Sequence, residues 1–232
     1  GRECVGLENH GSTCYINAVL QCIYHSSLRG LLVCSPASPI GELFESMHYR
    51  QSCRIQERLR TLVHAVWQDQ QFAPRTQCDA FAFLRHVQQD LIGAITIQRR
   101  ICIHNSTEQK TRKAVPSPAP TLLVLKAEGN GVLGTDRRTL TIQDQHGHAH
   151  RYALKTMAVH VGATLCEGHY FYVVRDSNNG WTEHHDDHEP ESLAAEDCNA
   201  LLERTIGTNP SGTRVPYLFF YENQEELNIA GL

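Results

Sequence analysis

Gly6-Leu7-Glu8-Asn9-His10-Gly11-Ser12-Thr13-Cys14-Tyr15-Ile16-Asn17-Ala18-Val19-Leu20-Gln21 is the stretch on which the reading of the chain turns. Ile16, Val19, Leu20 and Ile23 fall at helical spacing, predicting a helix from Cys14 to about Tyr24, and Ser12-Thr13 offers an N-cap just before it. Cys14 then opens a helix, where the positive end of the helix dipole and unspent N–H groups lower a thiol pKa and favour thiolate. Glycines at 6 and 11 let the preceding loop pass close to a substrate, and Asn9 can aim its side-chain amide at a developing oxyanion. A helix-start cysteine alone is more often a small buried hydrophobe, so the nucleophile reading needs a base elsewhere.

Gly168-His169-Tyr170, 155 residues beyond Cys14 (169 − 14) and leading a strand, supplies one. A Cys and a His distant in sequence and joined by the fold is the layout of a cysteine protease, in which imidazole takes the thiol proton and later returns one to the leaving amine. A third polar group should orient the ring. Trp181-Thr182-Glu183-His184-His185-Asp186-Asp187 follows on the next strand and is close enough to hold it. The run from His184 to Glu189 would read as a metal site in isolation; beside a catalytic base it reads better as triad scaffolding.

Outward from these motifs, residues 55–69 (Ile55, Leu59, Leu62, Val63, Val66) and 78–91 (Phe81, Leu84, Val87, Leu91) continue the helical period. The period then changes. Ile95, Ile97, Ile101 and Ile103 alternate, and β-rich runs follow at 121–126, 139–143, 152–162, 168–175 and 216–221. A helix-rich front and a strand-rich back make an α+β arrangement, with the site expected in the cleft between them. Residues 104–120 are polar and Pro-rich and read as a mobile connection. Gly129 to Gly134 matches G-x-G-x-x-G but leads into another strand, so it reads as a hairpin turn. His146, His148 and His150 alternate with Gly and Ala, which fits an exposed turn better than a metal site.

The 232 residues, 41% hydrophobic and 20% charged, suffice for one large domain or two small ones, and the net charge of −4 argues against general nucleic-acid affinity. No apolar run approaches the roughly 18 residues of a membrane helix. Nine cysteines without a C-x-x-C pair argue for free thiols in a reducing compartment, against a disulfide framework and against cysteine-held zinc. Asn105-Ser106-Thr107 fits a glycosylation pattern that we read as silent, and a start at Gly1 rather than Met leads us to expect an excised domain.

The residues from Gly6 to Gln21 resemble the cysteine box of the ubiquitin-specific protease family, GHYFYVVRDSNNGW followed by Asp186-Asp187 resembles its histidine box, and PYLFFY at 216–221 its closing strand. Thr76-Gln77-Cys78-Asp79-Ala80-Phe81 is similar to the family's Gln-Asp-Ala helix, and 152–162, with His160 and Gly162, to the strand before the histidine box. The resemblance spans residues 6 to 221. It implies a papain-like α+β cysteine protease forming one catalytic domain, with a helical thumb (about 1–92) carrying Cys14 and a mostly β palm (about 93–232) carrying His169. The chain departs from the family in its fingers region: only residues 92–120 stand in that interval, without C-x-x-C, so the fingers should be missing or cut to one hairpin. Phe81-Ala82 also replaces the usual His-Glu.

The implied activity is hydrolysis of the (iso)peptide bond after the Gly-Gly terminus of ubiquitin, with no cofactor and no metal. Cys14 is the nucleophile, His169 the base and Asn9 the oxyanion donor; Gln77, Asp79, Gly168, Tyr170 and Trp181 are the substrate-binding candidates. Counting from Trp181 puts the family's Asn/Asp on His185, whereas counting seventeen residues from His169 puts it on Asp186. Charge favours Asp186, since a carboxylate stabilises an imidazolium better than a neutral imidazole, with His185 as the alternative. Asp79 could pair with arginines upstream in the ubiquitin tail. A protease for another ubiquitin-like modifier and a catalytically weak modifier-binding module are the rival readings. The expected partners are ubiquitin or a ubiquitin-like modifier and its conjugates, not nucleic acid or membrane. The domain is expected to be monomeric and cytoplasmic or nuclear, or in host cytosol if it is a secreted effector.

Overall fold

The computed structural model describes residues 5–33, 38–88, 95–98, 117–127, 138–204 and 212–225. Five helices come first: α1 (Cys14–Tyr24), α2 (Leu28–Val33), α3 (Pro39–His48), α4 (Ser52–Val66) and α5 (Ala80–Val87). The α1 helix is central. All eleven of its residues are buried, including Asn17 and Gln21. The α4 helix buries Ile55, Leu59, Leu62, Val63 and Val66, the face read from sequence, although it starts before and ends short of the expected 55–69. In α3, Ser38 accepts the N–H of Gly41 at 3.1 Å and Pro39 stands at the first turn, which fixes its start. In α5, Asp79 accepts the N–H of Phe81 at 2.8 Å, so the helix begins after the expected Cys78.

The second half supplies β1 (Ile95–Gln98), β2 (Leu122–Lys126), β3 (Thr139–Gln143), β4 (Ala149–Val161), β5 (His169–Arg175), β6 (Trp181–His184), β7 (Glu191–Leu193), α6 (Ala195–Glu203) and β8 (Arg214–Asn223). One sheet runs β1-β2-β8-β4-β5-β6-β7, with β3 paired to β4; β1 is parallel to β2 and the other pairings are antiparallel. Of residues 92–120, only β1 and 117–120 are described; Ile101, Ile103, the Asn105 triplet and 129–134 lie outside the described residues.

Both faces of the sheet are covered. On β5, Tyr170, Tyr172 and Val174 join the core built with α1 to α5, while Phe171 and Val173 join a second core with Trp181 and with Cys198, Leu201 and Leu202 of α6. This is the strand period of two feeding two cores. Arg214, Val161 and His169 lie in one row across β8, β4 and β5.

Gly168 sits immediately before that row with φ +111°, and a Cβ there would come within 2.0 Å of the Val161 carbonyl oxygen and 2.7 Å of Gly162 Cα. Val161 pairs with His169 and cannot retreat. We therefore expect Gly168→Ala to cost at least about 2 kcal/mol, the scale of a strained backbone plus a steric clash. A urea midpoint equal to that of the parent would contradict this. Gly162 and Gly168 are thus needed by the hairpin itself, a reason independent of any substrate channel.

Candidate active site

The loop before α1 is built by Asn9 and Thr13. Asn9 Oδ1 accepts the Thr13 N–H at 3.0 Å and the Thr13 hydroxyl at 3.3 Å, and Thr13 Oγ1 in turn accepts the His10 N–H at 2.9 Å. Gly11 and Ser12, both at positive φ, make the turn between them. Thr13 is the N-cap residue, but its side chain caps no N–H of the helix. Cys14 Sγ, 2% exposed as a residue, accepts the backbone N–H of Tyr170 at 3.5 Å and lies 4.0 Å from Gln77 Oε1. This places the thiol against the residue that follows His169.

Burial pushes the Cys14 thiol above its ordinary value; the N–H of Tyr170 opposes this, the charge of Asp186 adds to it, and the N–H groups of Tyr15 and Cys14 itself pull it down. The expected helix-start thiolate is therefore corrected. Desolvation outweighs the helix end, and the resting thiol keeps its proton until a base removes it.

His169 Nε2 lies 3.0 Å from His185 Nδ1. Their rings are within 6° of parallel with centroids 5.2 Å apart, which is the N···N separation plus about one ring radius on each side. They meet edge to edge in one plane, as an in-plane hydrogen bond requires. His185 Nε2 lies 2.7 Å from Glu183 Oε1, and Glu183 Oε2 is ion-paired with Arg214. His169 Nδ1 has no hydrogen-bond partner among the described residues. Burial lowers the pKa of His169, with Asp186 opposing and His185 and His188 reinforcing; burial likewise lowers that of His185, against Asp186 and Glu191. Both imidazoles are neutral at neutral pH.

Asp186, the favoured third residue, is turned elsewhere. Its Oδ2 accepts Asn9 Nδ2 at 3.0 Å and its Oδ1 accepts Asn17 Nδ2 at 2.8 Å. Asp186 stands at φ +43° in the turn after β6, and its carbonyl accepts the Leu7 N–H at 3.3 Å. Gly6 backs onto this turn: a Cβ would lie 2.6 Å from Asp187 Cα. The close approach that Gly6 permits is therefore to the chain's own turn rather than to a substrate.

Among the substrate-binding candidates, Gln77 is buried beside the thiol and its Nε2 has no hydrogen-bond partner among the described residues. Asp79 Oδ1 takes the Phe81 N–H and the Tyr217 hydroxyl, the latter at 2.6 Å. Tyr170 reaches the site through its backbone; its ring is in the first core and its hydroxyl donates to Leu165. Trp181 packs in the second core with α6, and the structure does not bring it to Cys14. Asn17, Glu183 and Arg214 were missed. An amide on the buried face of a helix whose neighbours Ile16, Ala18, Val19 and Leu20 are apolar was the available signal for Asn17, and Glu183 shares the strand face of His185 by the period of two.

Around His146, the carboxylate of Asp144, two residues upstream, accepts the N–H groups of His146 (2.8 Å) and His148 (2.9 Å). It closes a turn. Among the described residues no group of three or more His, Cys, Asp or Glu side chains could hold a metal ion, and no helix is long and apolar enough to cross a membrane.

No curated protein matches the chain by sequence. Solved structures do match by fold. The SAGA DUB module of a Ubp8 variant with Sgf11, Sus1 and Sgf73, bound to monoubiquitin, aligns with a TM-score of 0.63 at 17% identity over 95% of this chain and 69% of that one. The Ubp8/Sgf11/Sus1/Sgf73 module bound to ubiquitin aldehyde aligns at 0.57 and 16% identity, over 95% and 69%. A yeast SAGA DUB module carrying an Sgf73 variant aligns at 0.56 and 15%, over 95% and 68%. The sequence pattern of the ubiquitin carboxyl-terminal hydrolases matches residues 5–95 and 93–221, which include Cys14, Gln77, His169 and the β6 turn. The chain thus belongs to the ubiquitin carboxyl-terminal hydrolase family, as a ubiquitin-specific protease catalytic domain and a deubiquitinating cysteine protease.

Proposed function

We propose that Cys14 attacks the carbonyl carbon of the terminal glycine of ubiquitin in an (iso)peptide conjugate, with His169 as the base that takes the thiol proton at Nδ1. The observation that carries this reading is the hydrogen bond from His169 Nε2 to His185, which leaves Nδ1 as the nitrogen without a partner, on the residue next to the one whose N–H touches Cys14 Sγ. Sulfur forms a thioester as the lysine amine departs with the proton from His169; water, deprotonated by the same imidazole, then releases ubiquitin. His185 fills the ring-orienting place, the alternative weighed from sequence, and Asp186 orients Asn9. With Asn9 Oδ1 held by Thr13 and one Nδ2 proton held by Asp186, the second proton is available for the oxyanion. The unpartnered Nε2 of Gln77 suits a carbonyl of the incoming tail. Asp79 Oδ2, the oxygen not engaged by Phe81 or Tyr217, suits an arginine further back.

Ubiquitin bearing a C-terminal electrophile tests this directly. We expect one adduct, on Cys14, formed faster than with other ubiquitin-like modifiers carrying the same group. Because burial holds His169 below its ordinary value of 6.5, the base stays unprotonated at pH 6.5 and above, and labelling should slow only below that. No adduct, or one on another cysteine, overturns the assignment.

A further inference from the structure

Glu183 completes a chain of contacts that begins at the base. Its side chain is 10% exposed. A carboxylate removed from water to that degree needs partners, and Glu183 has two: Arg214 on Oε2 and the His185 ring on Oε1. The Arg214 guanidinium also lies 4.9 Å from the centre of the Phe171 ring, and His185 stacks on that ring at 4.5 Å, so both partners are held by one aromatic side chain. Proton positions follow from donor and acceptor roles. An ionised carboxylate only accepts, so His185 Nε2 carries the hydrogen and Nδ1 a lone pair. That lone pair obliges His169 Nε2 to carry a hydrogen and donate it. The remaining lone pair of His169 is then on Nδ1, the tautomer that can accept the Cys14 proton.

We infer that Glu183 is a positioning residue of the catalytic site, fixing through His185 the reactive tautomer of His169 and offsetting the positive charge of its imidazolium. The inference rests on the reading of Cys14, His169 and His185 given above. One proton moves, from Cys14 Sγ to His169 Nδ1; the Nε2 hydrogens of His169 and His185 stay in place and Glu183 remains an ionised acceptor. A neutral imidazole at the third position supplies only a dipole, and the carboxylate behind it polarises the bond in the direction that stabilises His169⁺. The histidine standing where the resemblance expects Asn or Asp thereby regains a negative charge, one ring further out.

The test is kcat/KM against pH for a fluorogenic ubiquitin C-terminal amide, on the whole chain, for Glu183→Gln, Glu183→Asp, His185→Ala and the Glu183→Gln/His185→Ala double variant, with thermal midpoints recorded. Glutamine keeps the shape but loses the charge, and it can turn an N–H toward His185 Nε2, which selects the wrong tautomer at both rings. We expect Glu183→Gln to lower kcat by about 10- to 100-fold, the size of effect of outer partners on ligating histidines, with KM unchanged. Its acid limb should move to lower pH, since His169⁺ loses a stabilising charge. Glu183→Asp should restore part of the rate and most of the acid limb. The double variant should be no slower than His185→Ala, because Glu183 acts through that ring. The other charged or titratable groups bearing on the pair, Cys14 from α1, His160 on β4, Asp186, His188 and Glu191 after β6, and Arg214 on β8, are the same in every variant. If Glu183→Gln keeps the parent rate and acid limb, or loses rate only in step with its thermal midpoint while the limb stays fixed, the inference is overturned. If His185→Ala itself keeps the parent rate, the underlying reading of His185 fails, which is a different result.

Discussion

Cys14→Ala should lower kcat by about 10^5-fold or more while ubiquitin still binds with an affinity within a factor of a few of the parent. Removal of a covalent nucleophile costs on that scale because no other group can form the acyl intermediate. The substitution deletes one sulfur from a residue that is 2% exposed, so little contact surface changes. The N–H of Tyr170 loses its acceptor, and the fold remains pinned by α1 against β5. Turnover of a fluorogenic ubiquitin amide, together with titration of labelled ubiquitin, measures both halves. Residual cleavage near the parent rate would mean that another group does the chemistry. Cys22 is buried and burial pushes its thiol well above the ordinary value, so Cys22→Ala is the matched control and should leave turnover near normal.

The second large effect separates His185 from Asp186. His185→Ala should reduce kcat/KM by about 10^2- to 10^4-fold, up to the scale of removing the orienting group of a serine-protease triad. Asp186→Ala should also reduce turnover, by loosening Asn9 and Asn17, but through the oxyanion. Alkylation by iodoacetamide tells the two apart. It needs the thiol and its base and passes through no oxyanion, so it should slow in His185→Ala and stay near the parent rate in Asp186→Ala. The opposite ranking would return Asp186 to the ring-orienting role.

Much of the fold was legible because the residues that decide it are periodic. The face of α4 and the strand character of 168–175 could be read directly, and Thr139–Gln143 appeared at its observed bounds. The α2 helix was not placed because its six residues carry less than two turns of pattern, α3 because Gly41 and Ser46 interrupt the apolar period of its buried face, and α6 packs its apolar residues onto the far face of the sheet rather than extending the helical front. At the site, Cys14 and His169 were evident from residue type and separation. The third residue was not. Two adjacent side chains, His185 and Asp186, differ in direction because Asp186 takes a left-handed backbone conformation, and counting along a sequence carries no information about that turn. The thiol's protonation was misread for a related reason: the helix end is visible in sequence, whereas the depth at which it is buried is not.

The segment from Val5 to Asn9 works as a seam between the two halves of the molecule. Gln21 and Asn17 of the central helix donate to the carbonyls of Val5, Leu7 and Glu8, while the Leu7 N–H and Asn17 also reach Asp186 beyond β6, and Gly6 lies flat against Asp187. Every one of these stitches ends within a few residues of a group assigned to the chemistry. Catalytic geometry and the joining of helices to sheet are therefore one mechanical event: parting the seam would carry Asn9 and the β6 turn out of place together, leaving two intact cores and an idle thiol.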